Sequence, residues 1–271
     1  MSGQPQVQRP LHDFAVSFGE KMLAFTRALG GAGLLMHQVL RELFRRPLHV
    51  RLLAEQVYFI GVQSLGLIFI TSLSTGMVMA LQFGLGLEKF GGKLYVPKIV
   101  SLSILREMGP VFCSLMLAAR IGAGIASEIG SMTVTQQIDA IRALGTSPIK
   151  RIVLPRVLGC FIAVPLLCAM GNFFGILGSL IVGVTELGLD PLFYYQKVLA
   201  TCTITDYVTG IGKTFFFALF ISVTACYFGL NVRGGTQGVG SATTRAVVTS
   251  SVMILVGDFF LTKLFFILLE K

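Results

Sequence analysis

The chain has 271 residues, of which 54% are apolar and only 13% are charged, whereas a soluble domain carries about 25% charged residues. So little charge cannot cover a globule of this size with a water-compatible surface, which argues against a soluble enzyme, a disordered chain and a secreted disulfide scaffold. The mean hydropathy of +0.80 supports the same conclusion. The formal net charge of +9 therefore first raises the question of which side of a membrane the cations occupy.

Residues 1–10 show no pattern and are predicted to form a flexible tail. Residues 11–50 are predicted to form an amphipathic helix that lies on the membrane without crossing it. The apolar positions of this segment recur every three or four residues, as they do on one face of a helix: Leu11, Phe14, Phe18, Met22, Phe25 and Leu29. Its cations, which suit anionic lipid headgroups, are Arg27, Arg41, Arg45 and Arg46. A cytoplasmic helix packed on the rest of the protein is the alternative.

Membrane insertion is expected to depend on internal segments, because charges interrupt residues 1–50 too often for the apolar region of a signal peptide. A spanning helix needs about 20 apolar residues, and three uncharged runs satisfy this requirement: residues 56–87, 157–185 and 214–232. Two further apolar segments contain charged residues: 94–119 and 246–268. We therefore predict an all-α membrane protein in which residues 51–271 form a domain of five transmembrane helices.

The distribution of the cations indicates how this domain is oriented. If the N-terminus is cytoplasmic, the predicted cytoplasmic segments hold fourteen Lys and Arg residues, and the segments on the opposite side hold six. Cytoplasmic loops carry the excess of Lys and Arg in membrane proteins. We therefore predict a cytoplasmic N-terminus and a C-terminus on the opposite side of the membrane.

Small residues recur every four positions in the third predicted span: Gly171, Gly175, Ser179 and Gly183. This spacing lets two membrane helices approach closely, so these residues are predicted to form a packing face. The first span is longer than a straight crossing requires, and Gly76, Gly84 and Gly86 lie in its outer half. We therefore expect the first span to tilt, or to break where the chain reaches the outer surface.

The five cysteines have no metal-binding or disulfide spacing and are interpreted as small core residues: Cys113, Cys160, Cys168, Cys202 and Cys226. The three histidines lie in the first fifth of the chain, so a metal site is not expected. Gly212-Lys213-Thr214 resembles the end of a phosphate-binding loop, but that motif requires a glycine where Tyr207 stands. We expect no cofactor on this chain, and ATP, if it is used, must bind to another subunit.

Charged residues inside the predicted spans are the strongest indication of a functional site, because each costs about 2.5–3.5 kcal/mol on insertion scales. Arg106 and Glu107 are adjacent in the second span, so their side chains point about 100° apart and each requires its own partner. Asp206 and Lys213 are seven residues apart at the start of the fourth span. Because seven residues make about two turns, these two side chains share a helical face.

Two interpretations of these four residues stay open. Either they form interhelical ion pairs that only hold the helices together, or they line a polar cavity and contact a charged headgroup. Arg106 and Lys213 suit a phosphate, since Arg offers a fork of donors and Lys a point charge. Asp258 and Lys263, in the last span, are expected to lie at the membrane interface.

A second candidate region is the predicted cytoplasmic segment near residues 128–148. A short amphipathic helix is predicted over residues 135–144, and Gly145 and Pro148 are typical of a helix end. Such a helix either docks a soluble partner or lies on the membrane as an ordinary loop helix. The residues that would couple it to a partner are Glu128, Gln137, Asp139, Arg142 and Gly145.

Several of these segments resemble motifs of the MlaE-type permeases, the membrane subunits of Mce-associated ABC lipid transporters. The resemblance covers roughly residues 15–265, and the motifs occur in the same order as in the family. They are Ser103–Pro110, Ala119–Gly124, Glu128–Gly130, Gln137–Pro148, Pro155–Arg156 and Ala242–Val248.

The resemblance implies a homodimeric permease of the bacterial inner membrane that moves glycerophospholipid between that membrane and periplasmic carriers. It implies two copies of an MlaF-like ATPase, which bind ATP and Mg, on the coupling helices, and an MlaB-like STAS protein on the ATPase. An MlaD-like hexamer of MCE domains would lie on the periplasmic side. Such transport maintains the lipid asymmetry of the outer membrane, and it involves no nucleic acid.

By the same resemblance, Arg106 with Glu107 and Asp206 with Lys213 are charged pairs beside a lipid cavity. The residues expected near the acyl chains are Met79, Gln82, Leu87 and Phe90. Two other functions remain as alternatives. An ion-gradient-driven carrier would use Glu107 and Asp206 as protonatable groups, and a scaffold would only anchor other subunits.

Overall fold

The computed structural model describes residues 19, 26, 30–44 and 50–269. The predicted tail over residues 1–10 lies outside the described residues, as do Arg27, Arg45 and Arg46. The same is true of the apolar positions that define the predicted N-terminal helix: Leu11, Phe14, Phe18, Met22, Phe25 and Leu29. Arg41 is described and is exposed.

Helix α1 covers residues 30–43 and packs on the protein along one face. Ala32, Leu35 and Val39, which are three and four residues apart, are buried in the main hydrophobic core. Leu34 and Phe44 are exposed large apolar side chains. The described part of the predicted amphipathic helix therefore contacts the protein and also leaves apolar side chains exposed.

Five helical segments among the described residues are long and apolar enough to cross a membrane. They are Val50–Glu88, Lys93–Val134, Ile149–Thr185, Ile204–Leu230 and Gly235–Leu268. Between residues 50 and 269 the chain consists of helices and connecting turns, with no strand. The predicted all-α membrane fold with five spans is confirmed, and the chain is a multi-pass membrane protein.

Short irregular turns divide the first two spans into shorter helices. The first span is α2 (Val50–Gly61) and α3 (Leu65–Glu88), joined by a 3₁₀ turn over Val62–Ser64. The second span is α4 (Val96–Ser103), α5 (Gly109–Leu117) and α6 (Ala123–Val134), joined by π-helical turns over Ile104–Met108 and Ala118–Gly122.

The short helix α7 (Gln137–Ala143) and a π-helical turn over Ile149–Val153 precede α8 (Leu154–Thr185). Helix α9 (Pro191–Thr201) then leads to α10 (Ile204–Leu230) and α11 (Gly235–Leu269).

The first span is interrupted near its start and is regular in its outer half. Helix α3 continues without a break past Gly76 and Gly84, and the irregular turn lies at Val62–Ser64, towards the start of the span. A side chain on Gly76 would collide with the backbone of Gly175, and one on Gly84 would collide with Leu187. These glycines serve close packing, and the tilt, or the break at the outer surface, stays a prediction.

The small residues of α8 form the packing face that their spacing predicts. The carbonyl group of Gly175 lies against Gly76 of α3, so that no Cβ atom fits between them. One turn further along, Gly178 lies against the carbonyl group of Leu73. The backbones of α3 and α8 are therefore in direct contact, which is the arrangement that small residues permit in membrane helices.

Helix α9 covers the far end of the same face. Tyr194 is fully buried, its Oη donates a hydrogen bond to Ser179 Oγ at 3.0 Å, and its ring lies against Gly183. Burial raises the pKa of the Tyr194 hydroxyl above its ordinary value, and the bond to Ser179 only partly offsets this effect. The hydroxyl therefore stays protonated at neutral pH and remains a donor.

Helix α8 lies at the centre of the described bundle, and α11 lies at its edge. In the most apolar part of each span, 72% of the α8 residues are buried but only 11% of the α11 residues. The core contains the thiols that were interpreted from sequence as core groups, and none of the five cysteines forms a disulfide: Cys113, Cys160, Cys168 and Cys226 are buried, and Cys202 is half-buried.

Candidate functional site

The π-helical turn Ile104–Met108 places the adjacent charges Arg106 and Glu107 inside the second span. Helix α5 follows directly and has Pro110 in its first turn. Because proline has no N–H group, the carbonyl group of Arg106 lacks the donor that an α-helix would supply four residues later. Lys213 Nζ, on α10, donates to that carbonyl oxygen at 3.2 Å. The fourth span thus compensates for the donor that proline removes.

Arg106 and Glu107 bind different partners, in agreement with the directions expected for adjacent residues of a helix. Arg106 Nε donates to Asp206 Oδ1 at 2.5 Å. Lys213 Nζ donates to Glu107 Oε2 at 2.7 Å. Asp206 and Lys213 both belong to α10. Two ion pairs therefore join the turn to this helix, and the turn supplies the cation of one pair and the anion of the other. The interhelical ion pairs of the first interpretation are therefore present.

The ammonium group of Lys213 is enclosed by oxygen atoms. The side chain is 1% exposed. Its Nζ lies within hydrogen-bond distance of four acceptors: Glu107 Oε2 at 2.7 Å, Asp258 Oδ1 at 3.1 Å, Thr262 Oγ1 at 2.6 Å and the carbonyl oxygen of Arg106 at 3.2 Å. An ammonium group has three N–H donors, so all of them are used within the protein in this conformation.

Asp258 belongs to this cluster, and its position relative to the membrane interface stays a prediction. Its side chain is 20% exposed and bonds to Lys213. Thr262, one turn further along α11, accepts from Lys213 and donates to Glu107 Oε1 at 3.3 Å. Lys263 is exposed. Sequence reasoning missed Thr262, although a polar residue four positions after Asp258 lies on the same helical face.

Asp206 also takes part in the cap at the N-terminus of α10, where Thr203 is the N-cap residue. Its backbone N–H donates to Thr203 Oγ1 at 3.3 Å, and its Oδ2 accepts from the Thr203 backbone N–H at 2.9 Å and from Thr203 Oγ1 at 2.7 Å. This reciprocal arrangement is a capping box, which sequence reasoning missed. Both carboxylate oxygens of Asp206 are therefore engaged, one by the cap and one by Arg106.

The capping box gives a first prediction. Thr203→Ala removes the side-chain donor to Asp206 and the acceptor of its N–H, so we expect a loss of about 1 kcal/mol in the free energy of unfolding. The measurement is thermal unfolding of the detergent-purified protein. Thr185→Ala is the control, because Thr185 is exposed and bonds only to the carbonyl group of its own helix. Equal unfolding midpoints for the two variants would contradict the prediction.

Two hollows open beside the charged cluster. The larger, of about 440 Å³, is lined by the polar residues Glu107, Asp258, Thr262 and Lys263 and by the apolar residues Leu255, Phe259 and Phe266. The smaller, of about 60 Å³, is lined by Arg106, Glu107, Thr205, Asp206, Thr209, Thr262, Phe265 and Phe266. The Arg106 side chain is 47% exposed. Of the two cations in the cluster, Arg106 is therefore the accessible one.

A third space, of about 340 Å³, is an apolar cavity between α3, α5 and α8. Ile104 and Met108 of the turn line it, together with Phe112 and Met116 of α5 and with α3 residues around Thr75. Arg106 and Glu107 of the turn therefore border a polar hollow, whereas Ile104 and Met108 border the apolar cavity. This combination matches a lipid, which has an anionic headgroup and apolar chains.

A sequence profile described as Permease MlaE matches residues 53–264 of the chain. The chain belongs to the MlaE permease family. The matched residues include the whole charged cluster, and the cluster therefore lies in the part of the chain that defines the family. Its five charged residues are Arg106, Glu107, Asp206, Lys213 and Asp258.

Full-length relatives support this assignment. The permease is 38% identical to a probable ABC transporter permease protein of Rickettsia conorii, over 94% of this chain and 99% of that protein. It is 33% identical to the intermembrane phospholipid transport system permease protein MlaE of Haemophilus influenzae, over 94% of this chain and 98% of that protein. It is 32% identical to the chloroplastic protein TRIGALACTOSYLDIACYLGLYCEROL 1 of Arabidopsis thaliana, over 84% of this chain and 65% of that protein.

The residues expected near acyl chains lie at the end of the first span. Met79 and Leu87 are half-buried and pack against a small core cluster that includes Tyr194. Gln82 is exposed and Phe90 is 86% exposed. None of the four lines the 340 Å³ cavity, which begins one turn deeper in α3. Their contact with acyl chains stays a prediction.

Helix α7 of the permease covers most of the predicted coupling helix. It begins after Gln136, which has a left-handed φ of 59°, and it ends before Gly145, which has a φ of +70°. The left-handed glycine after the helix agrees with the predicted stop. Ile138 is buried in the core, whereas the polar residues of the segment are exposed. These are Gln137, Asp139 and Arg142, of which the last two form an ion pair at 3.1 Å.

Glu128 lies outside this short helix, on α6. Its Oε1 is 2.6 Å from Arg156 Nη2 of α8, and the Arg156 side chain is only 8% exposed. The pair therefore joins the two spans that flank α7, so Glu128 lies beside α7 and not on it.

Proposed function

We propose that this permease is the membrane subunit of an ABC transporter that moves glycerophospholipid between the inner membrane and periplasmic carriers and so maintains the lipid asymmetry of the outer membrane. The proposal draws on the family and on the phospholipid transport named for the Haemophilus relative. It also draws on the arrangement around the turn Ile104–Met108.

The observation that carries the proposal is a half-exposed arginine beside apolar space inside a membrane span. Arg106 borders a polar hollow, and Met108, two residues later, lines an apolar cavity. A charged group at this depth is unfavourable unless it has a partner or a wet cavity. A phosphate group accepts hydrogen bonds from a guanidinium in fork geometry. The headgroup therefore binds at Arg106, and the acyl chains extend into apolar space between α3 and α5.

The other charged residues position Arg106. Asp206 holds its Nε from α10, and Lys213 bonds to the carbonyl group of Arg106 and to Glu107. The contact of Lys213 with a headgroup remains a prediction, because its ammonium group is enclosed in the described conformation. Met79, Gln82, Leu87 and Phe90 contact the chains as the lipid leaves the bundle.

The transport cycle requires partners. Two permease copies form a dimer, and two MlaF-like ATPases bind ATP and Mg and dock on α7. An MlaB-like STAS protein binds the ATPase, and an MlaD-like MCE hexamer receives lipid on the periplasmic side. The N-terminus is cytoplasmic and the C-terminus is periplasmic. ATP-driven closure of the ATPases moves α7, and the two conformations differ in their affinity for lipid, which gives the transport its direction.

Transfer of fluorescent phospholipid between liposomes tests the proposal, with the permease co-purified with its ATPase. We expect Arg106→Ala to lower ATP-dependent transfer at least about tenfold, since loss of one charge-assisted contact is worth about 1.5–3 kcal/mol. Arg106→Lys should retain the folded state, because a cation still faces Asp206, but should transfer poorly because the fork is lost.

The matched control is Arg51→Ala, whose side chain is 92% exposed and pairs only with Glu55 of its own helix. If Arg106→Lys folds normally and transfers phospholipid as fast as the wild type, the proposal that Arg106 binds the headgroup is wrong. Transfer that persists without ATP and collapses with the proton gradient would instead favour an ion-driven carrier that uses Glu107 and Asp206.

A further inference from the structure

Asn172 is a polar residue inside α8 whose side chain has no partner among the residues that the structure describes. It is 1% exposed, and neither its Oδ1 nor its Nδ2 forms a hydrogen bond. Ser179, on the same helix, is also buried, but it bonds to Ile176 and Tyr194. Buried polar groups are nearly always paired, and an unpaired amide destabilises the conformation that contains it.

The Asn172 side chain lies against the turn that carries Arg106. A Cβ atom on Gly109 would collide with Asn172 Oδ1, and the carbonyl oxygen of Ile104 lies 2.6 Å from the same point. The Asn172 side chain thus occupies the space beside Gly109 that is open because glycine has no side chain. Its amide faces backbone groups of the turn without bonding to them.

The hydrogen bonds that join the turn to neighbouring helices come from α10 and α11 in the described part of the chain. On the α10 side, Lys213 donates to the carbonyl group of Arg106, and Gly210 lies directly against the carbonyl group of Leu105. On the α8 side, the amide of Asn172 offers a donor and an acceptor that are unused. The backbone N–H of Gly109 bonds to Ile104, five residues earlier, whereas an α-helical register would bond groups four residues apart. A change between these registers would expose different backbone groups to Asn172.

We propose that Asn172 is a positioning residue for transport, and that its amide pairs with the backbone of the turn in a second conformation in which the turn has shifted its register towards α8. This inference rests on the proposed function. Arg106 and Glu107 belong to the turn, so the shift redirects both side chains relative to α10, by about 100° for each residue of register. The unpaired amide destabilises the described conformation and so brings the two conformations closer in free energy.

Asn172→Leu tests the inference, because it replaces the amide with an apolar group of similar size. In the nucleotide-free complex of permease and ATPase, the unfolding midpoint should rise by about 2–4 °C, since no unpaired amide remains. In the complex trapped with Mg-ATP and vanadate, the midpoint should fall below that of the wild type, because the second conformation loses its hydrogen bond. ATP-dependent lipid transfer should fall at least about tenfold, which corresponds to about 1.4 kcal/mol.

Ser179→Ala is the matched control, two turns along α8. It removes a group that is already paired, so its midpoint should fall in both states, and transfer per folded molecule should stay unchanged. A lower midpoint of Asn172→Leu without nucleotide would mean that the amide is paired in the described conformation, and this outcome overturns the inference. Unchanged transfer, or a higher midpoint in the trapped state, also overturns it.

The midpoints do not depend on which substrate is moved. Expected midpoints together with a wild-type complex that transfers no phospholipid would therefore count against the proposed function and leave the role of Asn172 supported.

Discussion

Replacing Lys213 with methionine should destabilise the permease by about 3–5 kcal/mol, the range for a buried ion pair that loses one partner. The ammonium group lies between Glu107 and Asp258, so its removal leaves two carboxylates close together without the cation that pairs with both. The carbonyl group of Arg106 also loses a donor that Pro110 cannot replace. We expect little monodisperse protein after detergent extraction, measured by size-exclusion chromatography, and a strongly lowered unfolding midpoint.

Removing all three charges separates the effect of pairing from the effect of the lysine itself. Lys213→Met combined with Glu107→Gln and Asp258→Asn leaves no unpaired charge, so most of the lost stability should return. Lys98→Met is the control for loss of a lysine, because Lys98 is an exposed residue of α4. If the single variant is as stable as Lys98→Met, the cluster does not hold the fourth span in place.

Gly76→Ala should prevent tight packing of α3 on α8. The added Cβ atom would collide with the carbonyl group of Gly175, and a backbone group cannot rotate away as a flexible side chain can. Overpacking typically costs about 1–3 kcal/mol and occasionally more, and here two whole helices must separate. We expect an unfolding midpoint lower by several degrees. Because both helices line the 340 Å³ cavity, we also expect altered occupancy by lipid, measured by mass spectrometry.

The same helix provides the control. A Cβ atom on Gly66 of α3 would meet nothing within 4 Å, so Gly66→Ala should leave stability unchanged or raise it slightly, since alanine favours a helix more than glycine does. Identical midpoints for the two alanine variants would mean that α3 and α8 are not in backbone contact.

The spans and the close-packing glycines were predictable because both depend on local patterns. Uncharged runs define the spans, and the four-residue spacing from Gly171 to Gly183 defines one face of α8. The separate partners of Arg106 and Glu107 followed from helical geometry alone. Each of these features needs only the spacing of residues along one helix.

The composition of the cluster was not predictable in the same way, because it depends on how helices are rotated and which ones are neighbours. Asp258 was not grouped with Lys213, because the sequence does not show that α10 and α11 bring the two side chains together, and Thr262 gave no signal by itself. Asn172 was missed because one amide in an apolar span is unremarkable until its lack of a partner is known.

The length of α8 has a further consequence for how the permease deforms. This helix of 32 residues is about 48 Å long at 1.5 Å per residue, and it connects Arg156 at one end with the contact to Tyr194 near the other. Pro165 lies inside it and removes one backbone hydrogen bond, so bending is easiest there. Resistance to bending is therefore uneven along the helix. We expect a displacement at Arg156 to reach the half beyond Pro165, which carries Asn172 and the glycine face, as a change of angle.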